Sequence, residues 1–310
     1  MTTLQANQRE GAIKPELDGI RLEVAYTYDG TMEGLFTAVF KAYENHEDPT
    51  DVCPKDRFQP RLGQFVQPID TQIHLAERVA KGIINKCGEQ TYNYIKRACL
   101  VDDPQAGSHI YRFIRYAMKT GSQARHHLTS PLVAPLEAYN SFVLNEAENM
   151  RQFVRFRELE NGLFFASIHP KANVIPLCMD GFAARFNTQP FVIYDETHRL
   201  AGVYEGPEGL PDRTRLWGNP HWYLISVDAQ ADLNIPAEAP EESVMQKAWK
   251  SFYRATTIAA RYHPELQQHF MPKRFWKDLV ELQEDYEPRA ASLATSSRQG
   301  ARPLAGQIQE

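Results

Sequence analysis

Two short stretches of the sequence contain acidic and imidazole side chains that could act as acids or bases. Asp29 and Glu33 follow Tyr28, and Asp195, Glu196 and His198 follow the apolar run FVIY. A carboxylate in a partly desolvated place can transfer protons, and a carboxylate beside an imidazole can activate water. The four candidates for such a site are Asp29, Glu33, Asp195 and His198.

Ordinary turn chemistry explains the same residues and is the favoured interpretation. Asp-Gly is a common turn, Asp29 can hydrogen-bond the start of a helix, and Glu33 suits the positive end of a helix dipole. Asp195 to His198 fit a polar turn between strands. No HExxH or GxSxG motif is present, so no nucleophile is identified.

A third stretch, FMPKRFWK, combines three aromatic with three cationic side chains at residues 270–277. Pro272 disfavours helical geometry before it and presents Lys273 and Arg274 at a bend. Phe275 and Trp276 could stack on an exposed base while the cations meet phosphates. The alternative is that the aromatic residues anchor this segment to the core.

Two predicted helices place cations along one edge. At about 100° per residue, Met245 to Tyr262 has an apolar face, with Met245, Trp249 and Phe252 predicted to be buried. The opposite edge carries Lys247, Lys250, Arg254 and Arg261. The segment HIYRFIRYAMK repeats the layout with Arg112, Arg115 and Lys119. Such stripes indicate either a solvated surface or an anionic partner.

The charge distribution favours an anionic partner for the C-terminal stripe. The chain has a formal net charge of -5, yet residues 245–278 hold seven Lys or Arg against two acids. A basic face on an acidic body can bind a polyanion with little indiscriminate association. The predicted nucleic-acid contacts are Lys247, Lys250, Arg254, Arg261, Lys273, Arg274, Phe275, Trp276 and Lys277, followed by Arg112, Arg115 and Lys119.

The elements that must position these residues predict an α+β fold with a mainly antiparallel sheet and flanking helices. One domain is expected over residues 21–282, between a polar lead (1–20) and a disordered tail (283–310). Within it we predict a helical middle (70–150), a hairpin-rich sheet (153–205) and basic helices (243–280). Asn161-Gly162 predicts a hairpin, and NVIPL, PFVIYD and RLAGVYE predict strands, with a short helix over 179–186.

Other functional classes lack their sequence signals. The four cysteines include no CxxC pair, and neither a dinucleotide glycine fingerprint nor GxxxxGK[ST] is present, so no metal or cofactor is predicted. No apolar run approaches the roughly 18 to 20 residues of a membrane span. We therefore expect a soluble cytoplasmic protein that makes no membrane contact.

Four segments of the sequence resemble a bacterial family of DNA-repair or DNA-metabolism proteins. They are YDGTMEGLFTAVFKAYE (28–44), FRELENGLFFASIHPKANVIPL (156–177), QPFVIYDETHRLAGVYE (189–205) and WKSFYRATTIAARYHPELQQHFMPKRFWKDL (249–279). The core of that family is a domain of unknown function. Its members are typically encoded beside a radical-SAM protein distantly similar to spore photoproduct lyase, and some are fused to a uracil-DNA glycosylase-like domain.

The resemblance implies partners but no catalytic residues. It implies DNA that is damaged, modified or single-stranded, a radical-SAM protein, and a uracil-DNA glycosylase-like protein. The chain itself lacks the CxxxCxxC that holds a radical-SAM cluster, so that chemistry would belong to the partner.

Three functions remain open from the sequence. The leading one is a DNA-binding accessory of a repair or base-modification system. The others are an enzyme that processes DNA or a nucleobase with its own carboxylates, and an interaction subunit that makes no direct contact with DNA.

Overall fold

The computed structural model describes residues 16–17, 20–21, 23–207, 222–228, 234–258 and 263–283. These residues divide into two compact units, one up to Asn145 and one from Glu146 onward. The polar lead lies almost entirely outside the described residues, as do most of the Gly- and Pro-rich 206–220 loop and the tail from residue 284.

The first unit contains a short antiparallel pair and a three-stranded parallel sheet. The pair is β1 (Glu16–Leu17) with β2 (Ile20–Arg21). In the sheet, β3 (Glu23–Tyr28) lies between β4 (Asp51–Pro54) and β5 (Gln64–Pro68) and runs parallel to both. Its helices are α1 (Met32–Glu44), α2 (Ile73–Cys87), α3 (Glu89–Ala98), α4 (Ala106–Thr120) and a 3-10 helix (Ala124–His126). The long α5 (Ala134–Phe153) includes the division between the units.

The second unit is built on a five-stranded mixed sheet in the order β10-β9-β8-β7-β6. Its strands are β6 (Arg157–Glu158), β7 (Phe164–Ile168), β8 (Phe191–Asp195), β9 (Leu200–Tyr204) and β10 (Trp222–Ser226). Helix α6 (Ile175–Arg185) connects β7 to β8. After the sheet come α7 (Glu242–Thr256), α8 (Pro264–Phe270) and two 3-10 helices, Lys273–Asp278 and Val280–Leu282.

The α+β class is confirmed, but the prediction of a mainly antiparallel sheet is wrong. The three-stranded sheet of the first unit is parallel throughout, and β7 pairs with β8 in parallel in the second. The error in the second unit arises at NVIPL, which is not a strand: Asn173 and Val174 precede α6, and Ile175 to Leu177 form its first turn. Pro176 suits a first helical turn because the missing N–H would have no intrahelical partner. A helix between two strands provides the long crossover that parallel pairing requires.

Other predicted elements of the second unit are confirmed. Around Asn161-Gly162, β6 and β7 pair antiparallel, and Gly162 has φ of +78°, a conformation that costs glycine little. PFVIYD and RLAGVYE contain β8 and β9, which pair antiparallel.

Two further observations concern the described residues alone. None of their helices is long and apolar enough to cross a bilayer. The four cysteines all fall among them and form no disulfide.

Gly202 on β9 tests how closely α6 packs on the sheet. A Cβ at Gly202 would lie 2.5 Å from Met179 Sδ and 2.7 Å from Ile175 Cγ2, both on α6. We expect Gly202→Ala to lower the free energy of unfolding by about 1 to 3 kcal/mol, since overpacking forces side chains to shift. Chemical denaturation measures this change.

The matched control is Gly181, inside α6. A Cβ there meets nothing within 4 Å. Gly181→Ala should raise stability by up to about 1 kcal/mol, the helix-propensity difference. Equal effects of the two substitutions would contradict the close packing of α6 on β9.

Candidate functional site

Helix α7 carries three of the predicted cations, Lys247, Lys250 and Arg254, but turns a different face inward than expected. The helix spans Glu242–Thr256, whereas the prediction extended to Tyr262; Arg261 lies outside the described residues. Met245 is 64% exposed, Phe252 58% and Trp249 42%, so the prediction that they are buried is wrong.

The polar side of α7 is buried because it supplies a hydrogen-bond acceptor to the edge strand of the sheet. Glu242 and Gln246 are the buried residues of this helix. Glu242 Oε2 accepts the backbone N–H of Glu158 in the edge strand β6 at 3.0 Å, and Glu242 Oε1 accepts Gln246 Nε2 at 2.7 Å. A buried backbone N–H needs an acceptor, so this requirement outweighs the hydrophobic pattern in orienting α7.

The cations of α7 divide into two kinds. Lys247 and Arg254 are exposed, and neither forms an ion pair within the described part of the chain. Lys250 is half-buried, and its Nζ donates to Gln283 O at 2.9 Å, next to the 3-10 helix Val280–Leu282. The first two are available to a ligand, whereas Lys250 also has a structural role.

Two of the residues predicted to contact DNA from the 3-10 helix Lys273–Asp278 are structural. Phe275 is 4% exposed, with its ring 4.9 Å from that of Phe153, so the prediction that it stacks on a base is wrong. Both guanidinium NH groups of Arg274 bond the carboxylate of buried Glu146, one at 2.6 Å. A carboxylate removed from water needs such a partner, which explains the inward direction of Arg274.

The remaining residues of this 3-10 helix are more open. Trp276 is half-buried and donates its indole N–H to Met271 O at 2.9 Å. Lys273 and Lys277 are exposed, and no carboxylate of the described residues pairs with either. The two lysines therefore join Lys247 and Arg254 as accessible cations of the second unit.

A polar cluster that the sequence did not predict lies where β7 and β8 end together. His169 Nε2 lies 2.7 Å from Glu196 Oε2, and the Ser167 hydroxyl donates to the same carboxylate. On the other side of the imidazole, Asp278 Oδ2 lies 3.6 Å from His169 Nδ1. Because Asp278 belongs to the 3-10 helix, the cluster joins the cationic segment to the sheet.

The cluster holds His169 in its charged form. The carboxylates of Asp278 and Glu196 raise the pKa of His169 from 6.5 to about 9. The same imidazole, with help from the Ser167 hydroxyl, lowers the pKa of Glu196 from 4.5 to about 2. A histidine charged at neutral pH is a poor general base, so this geometry favours a structural ion pair over proton abstraction.

The candidates Asp195 and His198 are brought together. Asp195 is fully buried, and its Oδ1 accepts the backbone N–H groups of Thr197 and His198 at 2.9 and 3.0 Å, as a turn requires. Its Oδ2 lies 2.6 Å from His198 Nδ1. His198 Nε2 is buried and has no hydrogen-bond partner among the described residues. A carboxylate that orients an imidazole and leaves its second nitrogen unbonded has the layout of a general base.

The acidic candidates of the first unit are occupied by turn and cap contacts. Asp29 Oδ1 accepts the backbone N–H of Thr31 at 3.0 Å, and Asp29 Oδ2 accepts the Thr71 hydroxyl at 2.7 Å. Thr31 caps α1 by accepting the N–H of Gly34, and Glu33 lies in the first turn of that helix. These contacts match the turn interpretation of Asp29 and Glu33.

The second cationic stripe lies on α4, in the first unit, and is partly occupied. Arg115 pairs with Asp48 beside a cavity of about 220 Å³, and Arg112 donates to Thr50 O at 2.7 Å. Lys119 is exposed. The two stripes therefore belong to different units, and the one on α4 retains less free charge.

The sequence pattern of DUF4130, a domain of unknown function, matches residues 104–281, which is more than half of the chain. The chain belongs to this family. The matched range includes every predicted nucleic-acid contact as well as Asp195 and His198, whereas Asp29 and Glu33 fall outside it.

Comparison with known proteins adds no function. No curated protein matches the chain. Among solved structures, a pGpG-specific phosphodiesterase, PggH from Vibrio cholerae, is similar at 10% identity over 76% of this chain and 99% of that chain. Its TM-score of 0.32 is too low for the likeness to support any argument about this member of DUF4130.

The His169 ion pair predicts a pH-dependent stability. Because folding raises the pKa of His169 from 6.5 to about 9, its contribution is complete below about pH 6.5 and is lost as pH rises through about 9. The stability advantage of the wild type over His169→Gln, measured by urea denaturation, should therefore be larger at pH 6 than at pH 9.5.

His74→Gln on α2 is the control, since His74 is exposed and forms no ion pair among the described residues. Its difference from the wild type should stay constant over the same range. An advantage of the wild type over His169→Gln that does not change with pH would contradict the charged pair.

Proposed function

We propose that this protein binds DNA through the accessible cations of its second unit and serves as a cytoplasmic accessory in DNA repair or base modification. Lys247 and Arg254 on α7, with Lys273 and Lys277 on the 3-10 helix Lys273–Asp278, contact phosphates. The chemistry on the base belongs to a radical-SAM partner, and a uracil-DNA glycosylase-like protein is a second partner.

The observation that carries the proposal is the exposure of four cations that have no ion-pair partner in the described part of the chain. Cations that neutralise phosphates release condensed counterions, which is the main source of sequence-independent affinity for DNA. Arg274 and Arg115, by contrast, are already paired with carboxylates. The accessible set is therefore smaller than the predicted set.

Contacts within the second unit connect the segments that carry these cations. Helix α7 contacts the 3-10 helix Val280–Leu282 through Lys250 with Gln283 O and through Trp249 with Glu281. The same C-terminal segment includes Lys273 and Lys277, and the charge of Lys277 acts on both His169 and Glu196. This connection supports a binding surface shared by the two segments.

The assignment of a radical-SAM partner rests on the sequence resemblance and on the absence of a cluster-binding motif from this chain. The chain has no CxxxCxxC to hold a radical-SAM cluster. A protein that binds DNA and lacks that cluster complements a partner that has one.

Charge reversal tests the DNA surface. Lys247→Glu, Arg254→Glu and Lys273→Glu together should weaken binding to a labelled oligonucleotide. The slope of log affinity against log salt concentration should also become shallower by about one unit for each lost phosphate contact. Fluorescence anisotropy over a salt series measures both quantities.

A charge-matched control separates local from global effects. Lys55→Glu, Lys81→Glu and Lys86→Glu change the net charge equally at exposed positions of the first unit. This variant should keep the wild-type salt slope. If the triple variant at Lys247, Arg254 and Lys273 bound DNA with the affinity and salt slope of the wild type, the proposed surface would be wrong.

A second candidate function, an enzyme that acts on DNA or a nucleobase, is favoured by one observation. Asp195 bonds His198 Nδ1 and leaves Nε2 without a partner among the described residues. An imidazole oriented by a carboxylate can act as a general base, and His198 would take this role once an opening of the site let water reach its buried Nε2.

The lone protein would then act on oligonucleotides that carry uracil or an abasic site. Released base, strand cleavage or a mass change should appear with the wild type, fall by about 100-fold or more in His198→Gln, and persist in His74→Gln. Product formation unaffected by His198→Gln, or absent from the wild type, would exclude this role.

A further inference from the structure

A cavity of about 220 Å³ in the first unit plays no part in the proposed DNA binding. It lies between the C-terminal end of α1, the turn that follows α1, and α4. The turn contributes His46, Glu47 and Asp48 to its wall, and α4 contributes Tyr111 and Arg115. Since one water molecule occupies about 30 Å³ of liquid, the cavity has room for a small organic molecule.

Arg115 supplies a cation that the fold holds in place. Its Nη1 bonds the carboxylate of Asp48 and donates to the hydroxyl of buried Tyr111 at 3.1 Å. Its guanidinium carbon lies 6.0 Å from the ring centre of Tyr43 and 5.7 Å from that of Tyr111. Both bonds use Nη1, and a guanidinium has five N–H donors, so donors on its other nitrogens remain for a ligand. Their planar arrangement suits a carboxylate.

Glu47 and Asp48 supply negative charge beside this cation. The Tyr26 hydroxyl donates to Glu47 Oε2, and the Tyr111 hydroxyl donates to Asp48 Oδ1 at 3.2 Å. The second oxygen of each carboxylate, Glu47 Oε1 and Asp48 Oδ2, has no hydrogen-bond partner among the described residues. Each carboxylate can therefore accept a hydrogen bond from a cationic group of a ligand.

His46 occupies a backbone position that glycine usually takes. Helix α1 ends in a Schellman motif, in which the N–H of Glu47 donates to Ala42 O at 3.0 Å and the N–H of His46 donates to Tyr43 O at 3.3 Å. His46 has φ of +54°, a left-handed conformation that glycine adopts more easily than any residue with a Cβ. A histidine at this position on the cavity wall indicates that its imidazole serves the cavity rather than the turn.

The mixture of charges identifies the class of ligand. The wall carries one guanidinium and two carboxylates. A simple anion would meet the charges of Glu47 and Asp48, and a simple cation would meet that of Arg115. A molecule with both an ammonium and a carboxylate complements all three, and an α-amino acid carries these two groups on a single carbon atom. Ala42 and Tyr43 add apolar wall for a small side chain.

We propose that this cavity binds a free α-amino acid with a small apolar side chain. The carboxylate of the ligand accepts hydrogen bonds from Arg115, and its ammonium group donates to Glu47 and Asp48. The site lies within the first unit and uses none of the cations that the proposed DNA binding requires, so the two proposals are independent.

Calorimetric titration of the full chain with three related ligands tests the two charges separately. L-Valine should bind, whereas N-acetyl-L-valine lacks the ammonium group and L-valinamide lacks the carboxylate. Each of these two should bind about 10-fold or more weakly, because a hydrogen bond to a charged group is lost. Glu47→Gln and Arg115→Gln should each weaken the binding of L-valine by a similar factor.

The pattern across ligands separates a direct contact from a structural effect. Glu47→Gln should reduce the preference for L-valine over N-acetyl-L-valine and keep the preference over L-valinamide. Arg115→Gln should do the reverse. The matched control is Glu44→Gln, which removes an exposed carboxylate of α1 that lies outside the cavity wall and pairs with Lys41. This control should bind L-valine as the wild type does.

His46→Gly keeps the test valid if Arg115→Gln unfolds the unit by removing a partner of buried Tyr111. Glycine adopts the left-handed conformation without strain, so the thermal midpoint should stay unchanged or rise. The affinity for L-valine should nevertheless fall by about 2- to 10-fold, the range for one hydrogen bond. Unchanged affinity in His46→Gly would contradict a role of the imidazole in the site.

Other outcomes overturn the proposal as a whole. They are no binding of L-alanine, L-valine or L-leucine by the wild type, L-valine affinity that survives both Glu47→Gln and Arg115→Gln, and equal affinity for all three valine derivatives. None of these results bears on DNA binding by the second unit, which the charge-reversal variant tests.

Discussion

The second unit depends on one constraint: a carboxylate taken out of water must have a hydrogen-bonding partner. The side chains of Glu146, Glu281 and Glu238 are 3 to 5% exposed, and each is paired with an arginine. Arginine suits this role because its planar guanidinium presents several donors at once. The three arginines, Arg274, Arg155 and Arg157, are therefore committed to the fold.

This constraint decides which cations are available for a ligand. Two adjacent cations of the C-terminal segment differ in this respect: Arg274 forms an ion pair with Glu146, while Lys273 remains exposed. A formal count of charges along the sequence treats both alike. The proposed binding surface is formed mainly by lysines, which would act on phosphates as mobile point charges and would give little base specificity.

Much of the second unit could be predicted because its signals are local. Asn161-Gly162 predicts the hairpin between β6 and β7, and the apolar stretches in PFVIYD and RLAGVYE predict β8 and β9, which the structure contains. The buried face of α7 could not be predicted in this way. It is set by Glu242, which accepts a hydrogen bond from the backbone N–H of Glu158. These residues are 84 positions apart, and the periodicity of apolar residues within α7 carries no information about such a distant contact. The cluster of His169 with Glu196 was missed for a related reason, since the misassigned strand at NVIPL concealed that β7 and β8 end side by side.

The parallel pairing of β7 with β8 also affects the order of folding. The turn between β8 and β9 brings these strands together locally, whereas β7 can join β8 only after the chain from Ile168 to Phe191, including α6, has closed a long loop. Closing such a loop costs chain entropy before any contact repays it. We therefore expect the pairing of β7 with β8 to form late, so that the ends of these two strands, where Ser167 and Asp195 lie, take their final arrangement only when the helix has docked.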